Sequence, residues 1–344
     1  MKNKRLYFQA PFICTIREED PPEAQGDRLL VQVSCSAISA GTEMLIFRGR
    51  FPEGMAVDAT LPAYDGKGLA YPLAYGYSSV GTVLAAGPLA DPAWVGRRVF
   101  AFQPHQSHFA VPADELIRVP ADVADVDAVF LATMETAVNL VMDGRPVIGE
   151  RVLVLGQGIV GLLASALLAQ FPLKALTVRE RWPLRRQAAL DLGAQAAWSG
   201  DEADGAAPAA DGAGRSDGFD LVYELSGQPA MLDAAIAAAG FHGRIVVGSW
   251  YGAKTAPVDL GGRFHRNRLR LISSQVSTLA PEFSGRWSKA RRLDTAWEQI
   301  ARVGPSRLIS HRFGIEDAQA AYEQVDARPG ETLQVLLTYG KLSG

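Results

Sequence analysis

Cysteine is nearly absent from this 344-residue chain: Cys14 and Cys35 are the only two, which excludes a disulfide framework and any site built on three or four thiolates. Neither sign of charge dominates. The 34 Lys and Arg stand against 37 Asp and Glu, a net charge of -3, which gives no electrostatic footprint for nucleic acid or for an anionic membrane surface. No apolar run is long enough to span a bilayer. The opening MKNKRLYFQAPFICTI has neither a sustained apolar core nor a small-residue cleavage site, so the expectation is a soluble, unprocessed, cytoplasmic chain.

The chain does have ample apolar material, 48% of its residues, in a length beyond the usual single domain. Two domains and a small-molecule partner are expected. To about residue 120, short β-branched runs alternate with Gly and Pro, as in RLLVQVSCSAIS, YSSVGTVLAAG and SHFAVPADELIRVP, which predicts an irregular, mostly antiparallel β domain. From DVDAVFLATMETAVNLVMDG onward, short apolar strands alternate with Ala- and Leu-rich helices, the signature of βαβ units. Predicted strands are RVLVLG, KALTVRE, AQAAWS, FDLVYEL, GRIVVGS and LRLISSQ. The Gly, Ala and Asp segment GDEADGAAPAADGAGRSDG is too polar and too small-sided to bury much and is expected to be a mobile surface loop. In GRWSKARRLDTAWEQIARV, apolar residues at helical spacing predict an amphipathic helix whose Arg and Lys form a solvated face.

The most specific signal is RVLVLGQGIVGLLASALLAQF, where Gly156, Gly158 and Gly161 form G-x-G-x-x-G between a strand and an apolar helix. Gly156 permits the tight turn, Gly158 lets backbone amides approach a pyrophosphate, and Gly161 allows close helix packing. The first helical residues, Ile159 and Val160, sit at the positive end of the helix dipole. Glu180 ends the second strand about 20 residues on, where a carboxylate accepts hydrogen bonds from an adenosine ribose diol. That favours NAD(H). Arg179, Arg181 and Arg185 crowd the same turn, where they either neutralise a 2′-phosphate, which keeps NADP(H) possible, or only solvate a helix start.

With this motif preceded by a β-rich domain and followed by GFDLVYELSG, GFHGRIVVGSWYG and LISHRFGIEDAQAAYEQVD, the chain resembles the medium-chain, alcohol dehydrogenase-like dehydrogenase/reductase superfamily from end to end. SAISAGTE and YGYSSVG are most similar to its zinc-lacking branch, near bacteriochlorophyllide dehydrogenase-like proteins. The resemblance implies an α/β architecture: a doubly wound Rossmann sheet (136–276) carried by a discontinuous β-rich, GroES-like catalytic domain (1–135 and 277–344). It also implies substrate in the cleft between domains, a homodimer, and cofactor contacts from Ser226 and Gly248 at the ends of later strands.

Zinc members carry Cys, a His-Glu pair, and a further Cys or Glu. Here Ser39 stands at the first place and Tyr77-Ser78 at the second, with Glu135 near the third, and the four-Cys structural lobe is missing. Alcohols and phenols are poor zinc ligands, so no zinc is expected. An alternative metal site would have to draw on His105 and His108 with Glu43 or Glu135; these histidines equally suit a loop. Without a metal, side-chain donors must stabilise the developing alkoxide. The resemblance puts Ser39, Thr42 and Tyr77 around the vacant position, with Thr42 matching a proton-relaying hydroxyl and His108 as an outer acceptor. Each has a plainer reading: Ser39 and Thr42 as a helix cap, Tyr77 as an aromatic wall, His108 as a solvated histidine, Glu135 as a cap. The function this implies is a zinc-independent NAD(P)(H)-dependent oxidoreductase interconverting a secondary alcohol and a ketone on a polar or ring-bearing small molecule. A quinone or enone reductase and a non-catalytic dinucleotide sensor are the rivals.

Overall fold

The computed structural model describes residues 2–52, 54–55, 62–64, 68, 70–200 and 218–340. It divides into two compact units, Met1–Ala132 with Ile300–Gly344, and Thr133–Gln299. The low-complexity segment expected to be a loop lies almost wholly outside the described residues.

The second unit is built on six parallel strands. Read across the sheet they are Ala196–Trp198, Ala175–Arg179, Arg151–Leu155, Phe219–Glu224, Ala239–Val247 and Arg270–Ser273. Strand order reverses between Arg151–Leu155 and Phe219–Glu224, which is the doubly wound Rossmann arrangement and puts the switch point beside the glycine-rich turn. Val152, Val154, Leu221 and Val222 are fully buried, as strands covered on both faces require. All six predicted strands are present. Arg270 and Leu271 are exposed on the edge strand.

The first unit holds a seven-stranded sheet in the order Ile309–Gly314, Gln334–Thr338, Arg28–Ala37, Ser79–Ala86, Arg98–Ala101 and Ile117–Arg118, with His108–Pro112 also pairing with Arg28–Ala37. Every pairing is antiparallel except that of Ile309–Gly314 with Gln334–Thr338. The hairpin Asn3–Ala10/Ile13–Glu19 forms a separate two-stranded sheet. Phe8, Phe47 and Tyr322 pack together in one core cluster, Phe8 edge-on to Tyr322 at 5.1 Å and Phe47 stacked on it at 5.4 Å. The C-terminal segment thus completes the core of the N-terminal one. Among the described residues no helix is long and apolar enough to cross a membrane.

One basic residue departs from its expected place. The helix Lys289–Val303 was predicted to present its Arg and Lys to solvent, yet Arg292 is 0% exposed. Its guanidinium donates to Glu135 Oε1 from Nε (3.1 Å) and Nη2 (2.9 Å), to Asn139 Oδ1 (2.6 Å), to the Thr278 carbonyl (3.1 Å) and to the Val276 carbonyl. All five N–H groups are used, which is what makes burial of this charge tolerable. These bonds tie residues 276–292 to the helix Leu131–Gly144, and the compact units divide at 299/300 where the sequence reading had placed the return at 277.

Candidate functional site

In the second unit, Gly156 has φ +90°, and a methyl group there would lie 2.6 Å from Ser226 Cα, so the turn after the first strand needs glycine twice over. A methyl on Gly161 would lie 2.1 Å from the Gly156 carbonyl oxygen. Gly158 is different: nothing lies within 4 Å of the place its methyl would take. It is the N-cap of the helix Ile159–Leu168 and supplies no side-chain cap, so the amides that Ile159 and Val160 bring to this end are not capped by a side chain. Open space over an uncapped helix start is the shape a diphosphate needs.

Glu180 is 8% exposed and accepts hydrogen bonds from the Gln157 amide (2.9 Å) and the Trp182 amide (3.0 Å). Each carboxylate oxygen thereby has one bond and keeps capacity for a ribose hydroxyl. Of the neighbouring arginines, Arg179 donates to the Gly200 carbonyl at 2.6 Å, and the Arg181 guanidinium lies 4.7 Å from the Trp182 ring. Arg185 is held below its usual pKa by burial, opposed by Glu180.

A residue that the sequence reading passed over organises the far side of the turn. Glu224, 0% exposed at the end of Phe219–Glu224, accepts from the Ser226 amide (2.8 Å) and hydroxyl on Oε1, and from the Tyr251 hydroxyl (2.5 Å) on Oε2. Burial, then Glu224, pushes the Tyr251 phenol well up. The Glu224 carbonyl accepts the Gly248 amide (3.1 Å), and a methyl at Gly248 would meet Leu140 Cδ2 at 2.4 Å. Ser226 and Gly248 are therefore set by this carboxylate-ended strand. A carboxylate closing an apolar run, as in FDLVYE, was the available signal.

In the first unit, the ladder joining Arg28–Ala37 to Ser79–Ala86 pairs Ser36 with Ser79 and continues through a bond from the Ala37 amide to the Ser78 carbonyl. That register brings Ser39 and Tyr77 together across 38 residues of sequence: the Tyr77 hydroxyl donates to Ser39 Oγ at 2.5 Å. The Thr42 amide reaches the same oxygen at 3.4 Å, a weak bond, while the Thr42 side chain makes no cap to the helix Glu43–Phe47. Ser39, Thr42 and Tyr77 are all partly exposed, and the Tyr75 and Tyr77 rings meet in a T-shaped arrangement with centroids 6.2 Å apart.

His108 lies elsewhere in its bonding. It is 6% exposed, with its amide on Asn3 Oδ1 (2.9 Å) and Nδ1 3.0 Å from Ser107 Oγ, and burial holds it below the usual histidine pKa. No described bond joins it to Ser39 or Tyr77. The expected solvated histidine is in fact a buried one, because its strand pairs with Arg28–Ala37 in the middle of the sheet.

The side chains expected near a metal position bond to other groups of the protein. Ser39 and Tyr77 bond each other, Ser78 donates to the Val129 carbonyl, Glu135 is committed to Arg292, and His105 Nε2 is paired with Glu43. Among the described residues, no group of three or more His, Cys, Asp or Glu side chains could hold a metal ion.

No family model matches the chain. It is 25% identical over 238 residues to the L-threonine 3-dehydrogenase of Anaeromyxobacter dehalogenans, a match covering 68% of this chain and 63% of that protein, so the aligned part spans under two thirds of the relative. Over its whole length it is 24% identical to the starvation-sensing protein RspB of Escherichia coli K12, covering 98% of this chain and 100% of the other. The solved NADH complex of a short chain alcohol dehydrogenase from Escherichia coli CFT073 superposes with a TM-score of 0.76 at 21% identity, over 98% and 99% of the two chains. The fold is that of the alcohol dehydrogenases, a Rossmann unit with a GroES-like one. In sequence and in fold the chain is similar to alcohol dehydrogenase-like proteins.

Proposed function

We propose that the chain is an NAD(P)(H)-dependent oxidoreductase that interconverts a secondary alcohol and a ketone on a small polar or ring-bearing molecule, without zinc. The observation that carries this reading is the Tyr77–Ser39 hydroxyl pair, 2.5 Å apart at the place where a metal site is expected from the resemblance. The dehydrogenase names of similar proteins, and the NADH in one solved relative, support the nicotinamide part. Gly156, Gly158 and Gly161, the amides at Ile159 and Val160, and Glu180 with Arg181 beside it would hold the dinucleotide, while Ser226 and Gly248 line its later turns. Bound nicotinamide supplies the hydride acceptor or donor.

The protein's own part is the proton. Because the Tyr77 hydroxyl donates to Ser39 Oγ, Ser39 keeps its own proton to donate to the reacting oxygen. A ketone is thereby polarised by Ser39, whose oxygen is made more acidic by the bond it receives. In the reverse direction the proton transfers run backward: the Tyr77 proton leaves to solvent, Ser39 passes its own proton to Tyr77 Oη, and Ser39 Oγ takes the alcohol proton, so each oxygen ends with a balanced proton count. The proposed partner is a small molecule, with neither nucleic acid nor a membrane, in a cytoplasmic homodimer.

The test is turnover of reduced nicotinamide with matched ketones and enones, alongside the oxidised cofactor with secondary alcohols and polyols, on protein whose zinc content has been measured. Ketone or alcohol turnover at far less than one zinc per chain, unaffected by chelators, is expected. Turnover of enones alone, or turnover that tracks bound zinc, refutes the reading.

A further inference from the structure

Beneath the Ser39–Tyr77 pair lies a polar network from which solvent is excluded. Glu43 and His105 are each 0% exposed, and His105 Nε2 is 3.0 Å from Glu43 Oε2. Glu43 Oε2 also accepts the Tyr322 hydroxyl at 2.5 Å, and Oε1 accepts the Ser39 amide at 2.9 Å. On the other side of the imidazole, Nδ1 is 2.7 Å from Ser36 Oγ, which is 2.7 Å from the Tyr339 hydroxyl. Three polar partners of one enclosed side chain, drawn from residues 39, 105 and 322, make a junction that a helix cap alone does not require.

Two contacts connect this junction to the hydroxyl pair. Glu43 grips the backbone of Ser39. The His105 ring presses on the residue before Tyr77: Gly76 has φ +140°, and a methyl there would lie 2.8 Å from His105 Cδ2 and 2.9 Å from Nε2. The His105 amide further donates to the Tyr75 carbonyl at 3.3 Å. One buried pair thus bears on both segments that present the two hydroxyls, just beyond the ends of Arg28–Ala37 and Ser79–Ala86.

We infer that Glu43 and His105 are positioning residues: their enclosed pair fixes Ser39 through its amide and Tyr77 through Gly76, and so sets the bond between Tyr77 Oη and Ser39 Oγ. This rests on the proposed role of that bond but makes a statement about geometry that stands without turnover. Neither residue touches substrate; both act through the pair above them.

The experiment labels position 77 with 3-fluorotyrosine and reads its fluorine resonance in the full chain. Ser39→Ala removes the acceptor and moves the resonance. Glu43→Gln is expected to move it in the same direction, and Glu43→Gln with Ser39→Ala no further than Ser39→Ala alone. His105→Gln, which keeps an N–H donor in a different shape, serves if Glu43→Gln does not fold and is expected to act likewise. In turnover, Glu43→Gln should lower kcat about tenfold with KM and NADH affinity unchanged, and should lower it no further in a Tyr77→Phe background. A resonance that Ser39→Ala moves but Glu43→Gln and His105→Gln do not overturns the inference, as do kcat losses that multiply with Tyr77→Phe. Fluorine shifts as expected in a protein that turns over no alcohol or ketone uphold the positioning and overturn the proposed function instead.

Discussion

Replacing Arg292 with Met removes a charge that is wholly enclosed and leaves its partner behind. Glu135 is only 3% exposed, and its Oε1 is the oxygen that receives two of the five guanidinium bonds. Asn139 and the Val276 and Thr278 carbonyls lose a donor as well. Breaking one side of a buried ion pair costs about 3–5 kcal/mol, and the freed acceptors keep the value from falling below that range. Set against a total stability on the order of 5–15 kcal/mol, this is a large fraction. With a urea dependence near ~2 kcal/mol/M, the midpoint for Arg292→Met should fall by roughly 1.5–2.5 M. Urea titration followed by circular dichroism and tryptophan fluorescence measures it; Trp297, buried on the same helix, reports the local transition. Arg292→Met with Glu135→Leu buries no charge and should recover most of the loss. A midpoint shift under about 0.5 M for the single variant, or a double variant no better than either single, refutes the account.

The glycines separate packing from binding: Gly156→Ala should lower the melting temperature through its contact with Ser226 and its positive φ, whereas Gly158→Ala should leave melting nearly unchanged yet weaken NADH by about tenfold or more, read by fluorescence titration. Glu180→Ala should weaken both cofactors, since it frees the Gln157 and Trp182 amides, but NADH more than NADPH, so the ratio of dissociation constants shifts toward NADPH. Tyr77→Phe keeps the ring and removes the hydroxyl that Ser39 accepts; kcat should drop on the order of 100-fold with cofactor affinity little changed. His108, held by burial below the usual histidine value of about 6.5, contributes stability that is complete above that value and is lost as pH falls toward its folded one; His108→Gln should flatten that part of a pH–stability curve.

What the sequence by itself determined is what short-range pattern carries. Alternating strands and helices, and a strand–G-x-G-x-x-G–helix unit, are set by neighbours a few residues apart, so the Rossmann sheet and the tight glycine turn after its strand Arg151–Leu155 were readable. Ser39 and Tyr77 were reachable only through a resemblance, since 38 residues separate them and only the strand register pairs them. Which polar residues go inside was decided by tertiary structure alone. Arg292 sits on an amphipathic helix among basic neighbours and looks like surface, but a carboxylate 157 residues away and two carbonyls satisfy it inside. His105 and His108 are alike in sequence, three residues apart in one loop-like stretch, yet one meets Glu43 and the other Ser107 and Asn3. Burial of a charged or hydrogen-bonding side chain depends on whether distant partners arrive with the right geometry, and local periodicity holds no record of that.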